Sequence, residues 1–196
     1  MTHEHYPDTH HDTYSKTVFG FWIYLLTDFV LFGALFATYA VLRSNTFSGP
    51  NAKELFLLPQ VFLQSILLLI ASFTIGLASA STHRLDKKKM LIFSTLTLCL
   101  GIAFTFLQCD EFYRLLDQGY SWKKSAFLSA YFTLVGTHTL HLAFAILWTL
   151  FLVIPTFFYG ITPPFIRRMT CLKMFWQFLN VVWVFIFTFV YLTGGL

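Results

Sequence analysis

Five apolar runs, centred near Phe29, Leu68, Leu98, Ala143 and Val184, constrain this chain more than any other feature. A helix needs roughly 17–25 apolar residues to cross a bilayer, and each run meets that length. The spans are predicted at Val18–Leu42, Phe56–Ala80, Met90–Leu107, Phe127–Pro155 and Thr170–Thr193. Period-two alternation is absent, so helices rather than barrel strands are expected. The third run can continue as an amphipathic stretch toward Leu115. The fourth lies in an uncharged stretch, Ser125–Ile166, too long for one span, and Pro155, Gly160, Pro163 and Pro164 are expected to end its helix and turn the chain.

The fold class that follows is an all-α integral membrane bundle of five transmembrane helices. Only 11% of the 196 residues are charged, against about 25% in soluble domains. The net charge of +4 does not point to nucleic acid, because the basic residues are confined to short loops facing lipid head groups. Residues 1–17 read as a polar, His-rich tail and 18–196 as one membrane domain. The tail carries Glu4, Asp8 and Asp12 rather than a basic stretch, so the first run is expected to remain as a true helix.

Five spans put the termini on opposite sides. One side carries Lys16, Arg84, Lys87, Lys88, Lys89, Arg167, Arg168 and Lys173; the other carries Arg43, Lys53, Arg114, Lys123 and Lys124. The excess of basic residues on the first side predicts a cytoplasmic N-terminus. Small residues recur every fourth position at Ser72, Gly76 and Ala80, and at Gly33 and Ala37, which predicts close helix contacts within the bundle or with another chain. Cys99, Cys109 and Cys171 lack C-x-x-C spacing and are expected to be packing residues without a disulfide.

Asp28 stands roughly 12–15 Å inside an otherwise uncharged run, judged by the rise of about 1.5 Å per residue. A carboxyl at that depth costs on the order of 2.5–3.5 kcal/mol unless it is protonated, paired or turned toward protein. Two readings are open: a structural carboxyl bonded to Tyr24, Thr27 or another helix, and a protonatable group coupled to proton transfer or to a partner subunit.

His138 and His141 share one face of the fourth helix. No further histidine falls in a span, so polar contacts between helices are favoured over haem or metal ligation. A role in proton movement is the alternative. His3, His5, His10 and His11 crowd the tail, where a solvated segment is favoured over a metal site. Gln108, Asp110, Glu111 and Arg114 have ion-pair spacings at the end of the third span, which predicts interfacial salt bridges or a subunit contact. Trp176, Gln177, Asn180 and Trp183 in the last span predict hydrogen bonds to a neighbouring helix or a partner. No nucleophile triad, phosphate loop or nucleotide fingerprint occurs, so the chain reads as non-catalytic on its own.

Four ordered motifs resemble subunit III of the haem–copper respiratory oxidases. They are Phe19-Gly-Phe-Trp-Ile-Tyr-Leu-Leu-Thr-Asp28, Gln108-Cys-Asp-Glu-Phe112, Gly136-Thr-His-Thr-Leu-His141, and the terminal stretch Phe175 to Gly194 with Val181-Val-Trp183. The resemblance covers roughly Val18 to Gly194. With five spans, and Asp28 where the cytochrome c oxidases usually carry Glu, the chain is most similar to the bacterial cytochrome bo-type ubiquinol oxidase branch.

That resemblance implies an accessory subunit without a redox centre, packed with a lipid cleft against a subunit I that holds haem and copper, alongside subunits II and IV in the bacterial inner membrane. It implies support of subunit I, bound phospholipid and a contribution to proton uptake or oxygen entry. Four positions depart from the family pattern. Gln177 and Asn180 replace a His and an Asp, Thr139 replaces a Gly, and Leu142 replaces a common Val. Competing readings are a proton-coupled transporter using Asp28, His138 and His141, a membrane haem protein, and subunit III of a menaquinol or cytochrome c oxidase.

Overall fold

The computed structural model of the protein describes residues 9–43 and 58–193. Five helices account for nearly all of them: α1 (Thr9–Leu42), α2 (Leu58–His83), α3 (Lys87–Asp117), α4 (Ala126–Tyr159) and α5 (Pro163–Ile186). A π-helical turn, Phe187–Leu192, continues α5. Each of the five is long and apolar enough to cross a membrane, and no strand occurs among the described residues. The chain is a multi-pass membrane protein.

Local chemistry explains several helix ends. Asp86 caps α3 by accepting from the Lys89 backbone N–H at 3.2 Å, and Ser125 caps α4 by accepting from Leu128 at 3.1 Å. Both satisfy N–H groups that a first turn leaves open. α3 runs past the predicted span to Asp117, beyond the amphipathic extension toward Leu115. α1 begins at Thr9, well before the predicted start at Val18, so its first turns carry His10 and His11. His3 and His5 lie outside the described residues, as does Lys53.

Pro155 does not end α4. The helix passes through it and stops at Gly160, whose φ of 75° suits glycine. A membrane helix tolerates an internal proline because neighbouring helices and hydroxyl side chains compensate the backbone. Pro163 and Pro164 start α5 rather than finish α4, since a proline in a first turn forgoes no hydrogen bond.

α5 lies at the centre. It packs on α1, α2 and α4, while α2 and α3 form the most extensive pair. Trp176, Trp183, Phe175 and Leu179 of α5 are buried. α1 is the outer helix, packed mainly on α4 and α5, with most of its surface facing outward. Two contacts fix the start of α1, the turn between α2 and α3, the end of α4 and the start of α5 at one end of the bundle. The Lys87 ammonium donates to the Phe157 carbonyl at 3.0 Å, and the Tyr14 hydroxyl donates to Thr170 at 3.4 Å.

The predicted small-residue stripes do not mark tight contacts within this chain. Gly33, Ala37 and Ala80 are exposed and Ser72 and Gly76 half-buried, and a Cβ on Gly33 or Gly76 would meet nothing within 4 Å. The buried face of α2 is instead Ala71, Thr74, Ile75 and Ala78. Tight contact occurs at Gly101 of α3, where an added Cβ would stand 2.7 Å from Trp176 Cη2. Spacing alone marks a stripe as small without saying which face has a partner.

Candidate functional site

Two polar clusters lie within the bundle. The first joins α1 to α4 halfway along both spans. Asp28 sits midway between Tyr14 and Leu42, and His141 stands at the corresponding depth in Ala126–Phe158. Asp28 is 7% exposed. Its Oδ1 is 3.8 Å from His141 Nε2, an ion-pair spacing longer than a hydrogen bond. Its Oδ2 is buried with no hydrogen-bond partner among the described residues. The Tyr24 phenol, one turn earlier, interacts with the carboxyl, whereas the Thr27 hydroxyl donates to the Tyr24 carbonyl at 2.7 Å.

His141 is held from behind. Its Nδ1 lies 2.8 Å from the Thr137 carbonyl, and because a carbonyl only accepts, Nδ1 carries a proton and Nε2 is the atom facing Asp28. Phe32 of α1 packs against this ring, the centroids 5.3 Å apart.

His138, one turn earlier, turns to a different partner. It is fully buried, its Nε2 donates to the Leu179 carbonyl of α5 at 3.1 Å, and Trp183 and Phe104 enclose its ring. The two histidines therefore have separate polar partners, one on α5 and one on α1.

The second cluster lies at the far end of α3. Glu111 is 1% exposed. Tyr131 of α4 donates to its Oε1 at 3.1 Å, Tyr191 of the π turn donates to its Oε2 at 3.3 Å, and Gln108 donates to Oε2 at 3.1 Å. The two tyrosine hydroxyls are 3.0 Å apart. Glu111 is thus held in a buried hydroxyl cage joining three elements, with the Arg114 charge also acting on its carboxyl. Asp110 is exposed and Arg114 half-buried.

Neither tyrosine was marked by spacing, since each meets Glu111 across a long stretch of chain. The only signal was a hydroxyl within an apolar run. The π turn matters here, because its extra residue lets the adjacent Val190 and Tyr191 both face inward.

The remaining candidates lie on α5. Trp176 donates from its indole to Thr149 of α4, and Trp183 donates to Ser65 of α2, both at 3.0 Å. Gln177 is exposed. Asn180 is half-buried, its Oδ1 enclosed and without a hydrogen-bond partner among the described residues. Among those residues, no group of three or more His, Cys, Asp or Glu could hold a metal ion.

Comparison with known proteins covers nearly the whole chain. A family model described as Cytochrome c oxidase subunit III matches residues 1–195. Cytochrome bo(3) ubiquinol oxidase subunit 3 of Pseudomonas aeruginosa is 45% identical over 194 residues, covering 99% of this chain and 92% of the relative. Cytochrome c oxidase subunit 3 of Bacillus sp. (strain PS3) is 43% identical over 175 residues, with 89% and 84% covered. Quinol oxidase subunit 3 of Bacillus subtilis is 39% identical over 183 residues, with 93% and 90% covered. The chain belongs to the cytochrome c oxidase subunit III family and is thereby an accessory subunit of a haem–copper oxidase.

Proposed function

We propose that the chain is subunit III of a bacterial cytochrome bo-type ubiquinol oxidase, a complex that oxidises ubiquinol, reduces oxygen to water and pumps protons. The observation that carries this reading is the match to the Pseudomonas relative along almost the full length of both chains. In this reading the chain sits in the inner membrane with its N-terminus and its basic turn Arg84–Lys89 cytoplasmic. It packs on subunit I, which holds the haems and copper, in the company of subunits II and IV. Its own part is assembly and endurance of subunit I, with Asp28 aiding proton uptake.

Two grooves suit bound phospholipid. One, of about 400 Å3, runs along α1 and α5 between Phe19, Trp22, Phe29 and Phe178 and is almost wholly apolar, as an acyl chain requires. The other, of about 620 Å3, is lined by Tyr14, Pro163, Pro164, Ile166 and Arg167 at the end of the bundle, where a head group lies.

The deciding experiment is a mild-detergent pull-down of the tagged chain from its native membrane, read by optical spectrum, mass spectrometry and donor assay. Co-purification of a haem-bearing subunit I with ubiquinol oxidation is expected. A colourless, isolated chain would sink the reading and revive the transporter. A second reading rests on the Bacillus relative named cytochrome c oxidase subunit 3; oxidation of reduced cytochrome c, but not of ubiquinol, would select it.

A further inference from the structure

Gln177, Val181, Val184 and Thr188 run down one side of α5 and its π turn, and all four are exposed. Contacts on either hand fix where this strip points. Phe178 and Phe185 turn toward Phe32 and Phe36 of α1, and Trp183 turns toward Ser65 of α2. The strip therefore faces outward between α1 and α2.

Gln177 is the anomaly in it, since it stands midway along the span Pro163–Leu192. Outward hydroxyls in this bundle satisfy themselves: Thr188, Thr38 and Thr133 each donate to the carbonyl four residues earlier. A primary amide has two N–H donors and a carbonyl, more than one backbone carbonyl of its own helix can answer. The Gln177 amide makes no hydrogen bond among the described residues. Asn180, between Gln177 and Trp183 around the helix, adds a half-buried amide whose enclosed Oδ1 has no partner among those residues either.

The neighbouring edge of α2 is low. Consecutive spans alternate in direction, so α2 is antiparallel to α5, and the Ser65–Trp183 bond sets their register. Seven residues along each helix, Ser72 falls level with Trp176 and Gln177. Ser72 and Gly76 are half-buried, and a Cβ on Gly76 would meet nothing within 4 Å. Small residues beside an amide leave room for another backbone to approach and something for it to bond.

Depth limits what can lie there. A lipid head group stays at the interface, roughly 15 Å from the centre of a hydrocarbon core about 30 Å thick. An acyl chain reaches the centre but leaves both amides without partners. A transmembrane helix answers both needs, and because its own backbone is already bonded, it must do so with a polar side chain. The chain is a subunit of a multi-subunit oxidase, so that helix belongs to another subunit.

We propose that the strip between α1 and α2, centred on Gln177, is the docking face for a transmembrane helix of another oxidase subunit. That helix presents an amide, hydroxyl or imidazole side chain to Gln177 at the bilayer centre. The inference deepens the proposed function and rests on it for the presence of partner subunits.

The test places a photoreactive residue at Val181 of the tagged chain, leaving Gln177 intact, and irradiates the complex in its native membrane. The cross-linked peptide is located by mass spectrometry after purification in mild detergent, with haem absorbance and ubiquinol oxidation measured on the same preparation. A cross-link to a transmembrane segment of another oxidase subunit, with a polar side chain near its middle, is expected. In a second measurement on otherwise unaltered complexes, Gln177→Leu is expected to lower retention of the chain about fivefold in rising detergent, and Gln177→Asn to lower it less.

Cross-links to lipid alone, to a second copy of this chain, or to a segment with no polar side chain would each overturn the inference. Equal retention of wild type and Gln177→Leu would do the same. Any of those results from a haem-bearing preparation that oxidises ubiquinol removes only the docking face. A colourless preparation that oxidises no ubiquinol overturns the functional reading instead.

Discussion

Tyr191, in the last turn of the bundle, donates to a Glu111 carboxylate 80 residues earlier, at 3.3 Å. With Tyr131 and Gln108 on the same carboxyl, this contact ties the end of α3, the start of α4 and the end of α5 into one unit. A buried carboxyl deprived of a donor is destabilising. Tyr131→Phe or Tyr191→Phe is expected to cost about 1–3 kcal/mol. Thermal release of the subunit from the complex measures it, and a cycle with Glu111→Gln should be non-additive. Additive losses would show that the hydroxyls and the carboxyl act independently.

The Gly101–Trp176 contact is equally specific. Gly101→Ala brings a methyl within 2.7 Å of the indole and 3.3 Å of Ile146. The indole cannot easily yield, since its N–H is anchored on Thr149. Overpacking of this kind costs about 1–3 kcal/mol, and Trp176→Phe should recover part of it. Thermal denaturation of the complex in detergent checks both variants; an unaltered transition in Gly101→Ala would contradict the packing.

Much of the fold was legible from the chain because hydrocarbon imposes one rule: a spanning segment must be a long apolar helix. The five spans follow directly. The path through Pro155 was not legible, because a proline marks a stop only where nothing else compensates the backbone. Asp28 and His141 stood out as polar residues in apolar runs, yet which histidine faced Asp28 depended on the rotation of α4 against α1. The partners of Glu111 were hidden further still, since Tyr191 reaches it only through a π turn that no spacing rule announces.

Asp28→Asn keeps the shape of the side chain and removes the carboxyl that can hold or release a proton beside His141. Haem content is expected to be unchanged, while proton coupling or the number of turnovers before inactivation falls. Haem absorbance, proton-uptake stoichiometry and prolonged oxygen consumption provide the check. Loss of haem from the purified complex would contradict an accessory role for this carboxyl.

Truncation before Thr170 removes most of α5, on which α1, α2 and α4 pack. No stable complex is expected to retain the shortened chain. Its recovery at normal yield would show that α5 is dispensable.

At the turn between α2 and α3, the Lys89 backbone N–H holds the Asp86 carboxyl below its ordinary range, with the Lys89 side chain assisting. A carboxyl whose pKa is lowered by folding stabilises the fold above its unfolded value of about 3.9, and the benefit disappears as pH falls through the lower, folded value. Amide exchange at Lys89, corrected for the intrinsic pH dependence, is expected to show protection falling in wild type as the pH drops below about 4 and on through the lowered, folded value. Asp86→Asn should keep the cap but lose that pH dependence, and Asp86→Ala should lose protection throughout. Equal pH dependence in all three would remove Asp86 as its source.

The placement of α1 also bears on how the protein is made. α1 packs mainly on α4 and α5, so its neighbours leave the ribosome last. About 110 residues separate Asp28 from His141, and at roughly 5–20 residues per second the acidic helix waits on the order of 6–20 s for the side chain that faces it. During that interval its insertion is penalised by about 2.5–3.5 kcal/mol on translocon scales. The apolar remainder of α1, with a mean hydropathy of 1.9, carries that cost until the second half of the bundle arrives.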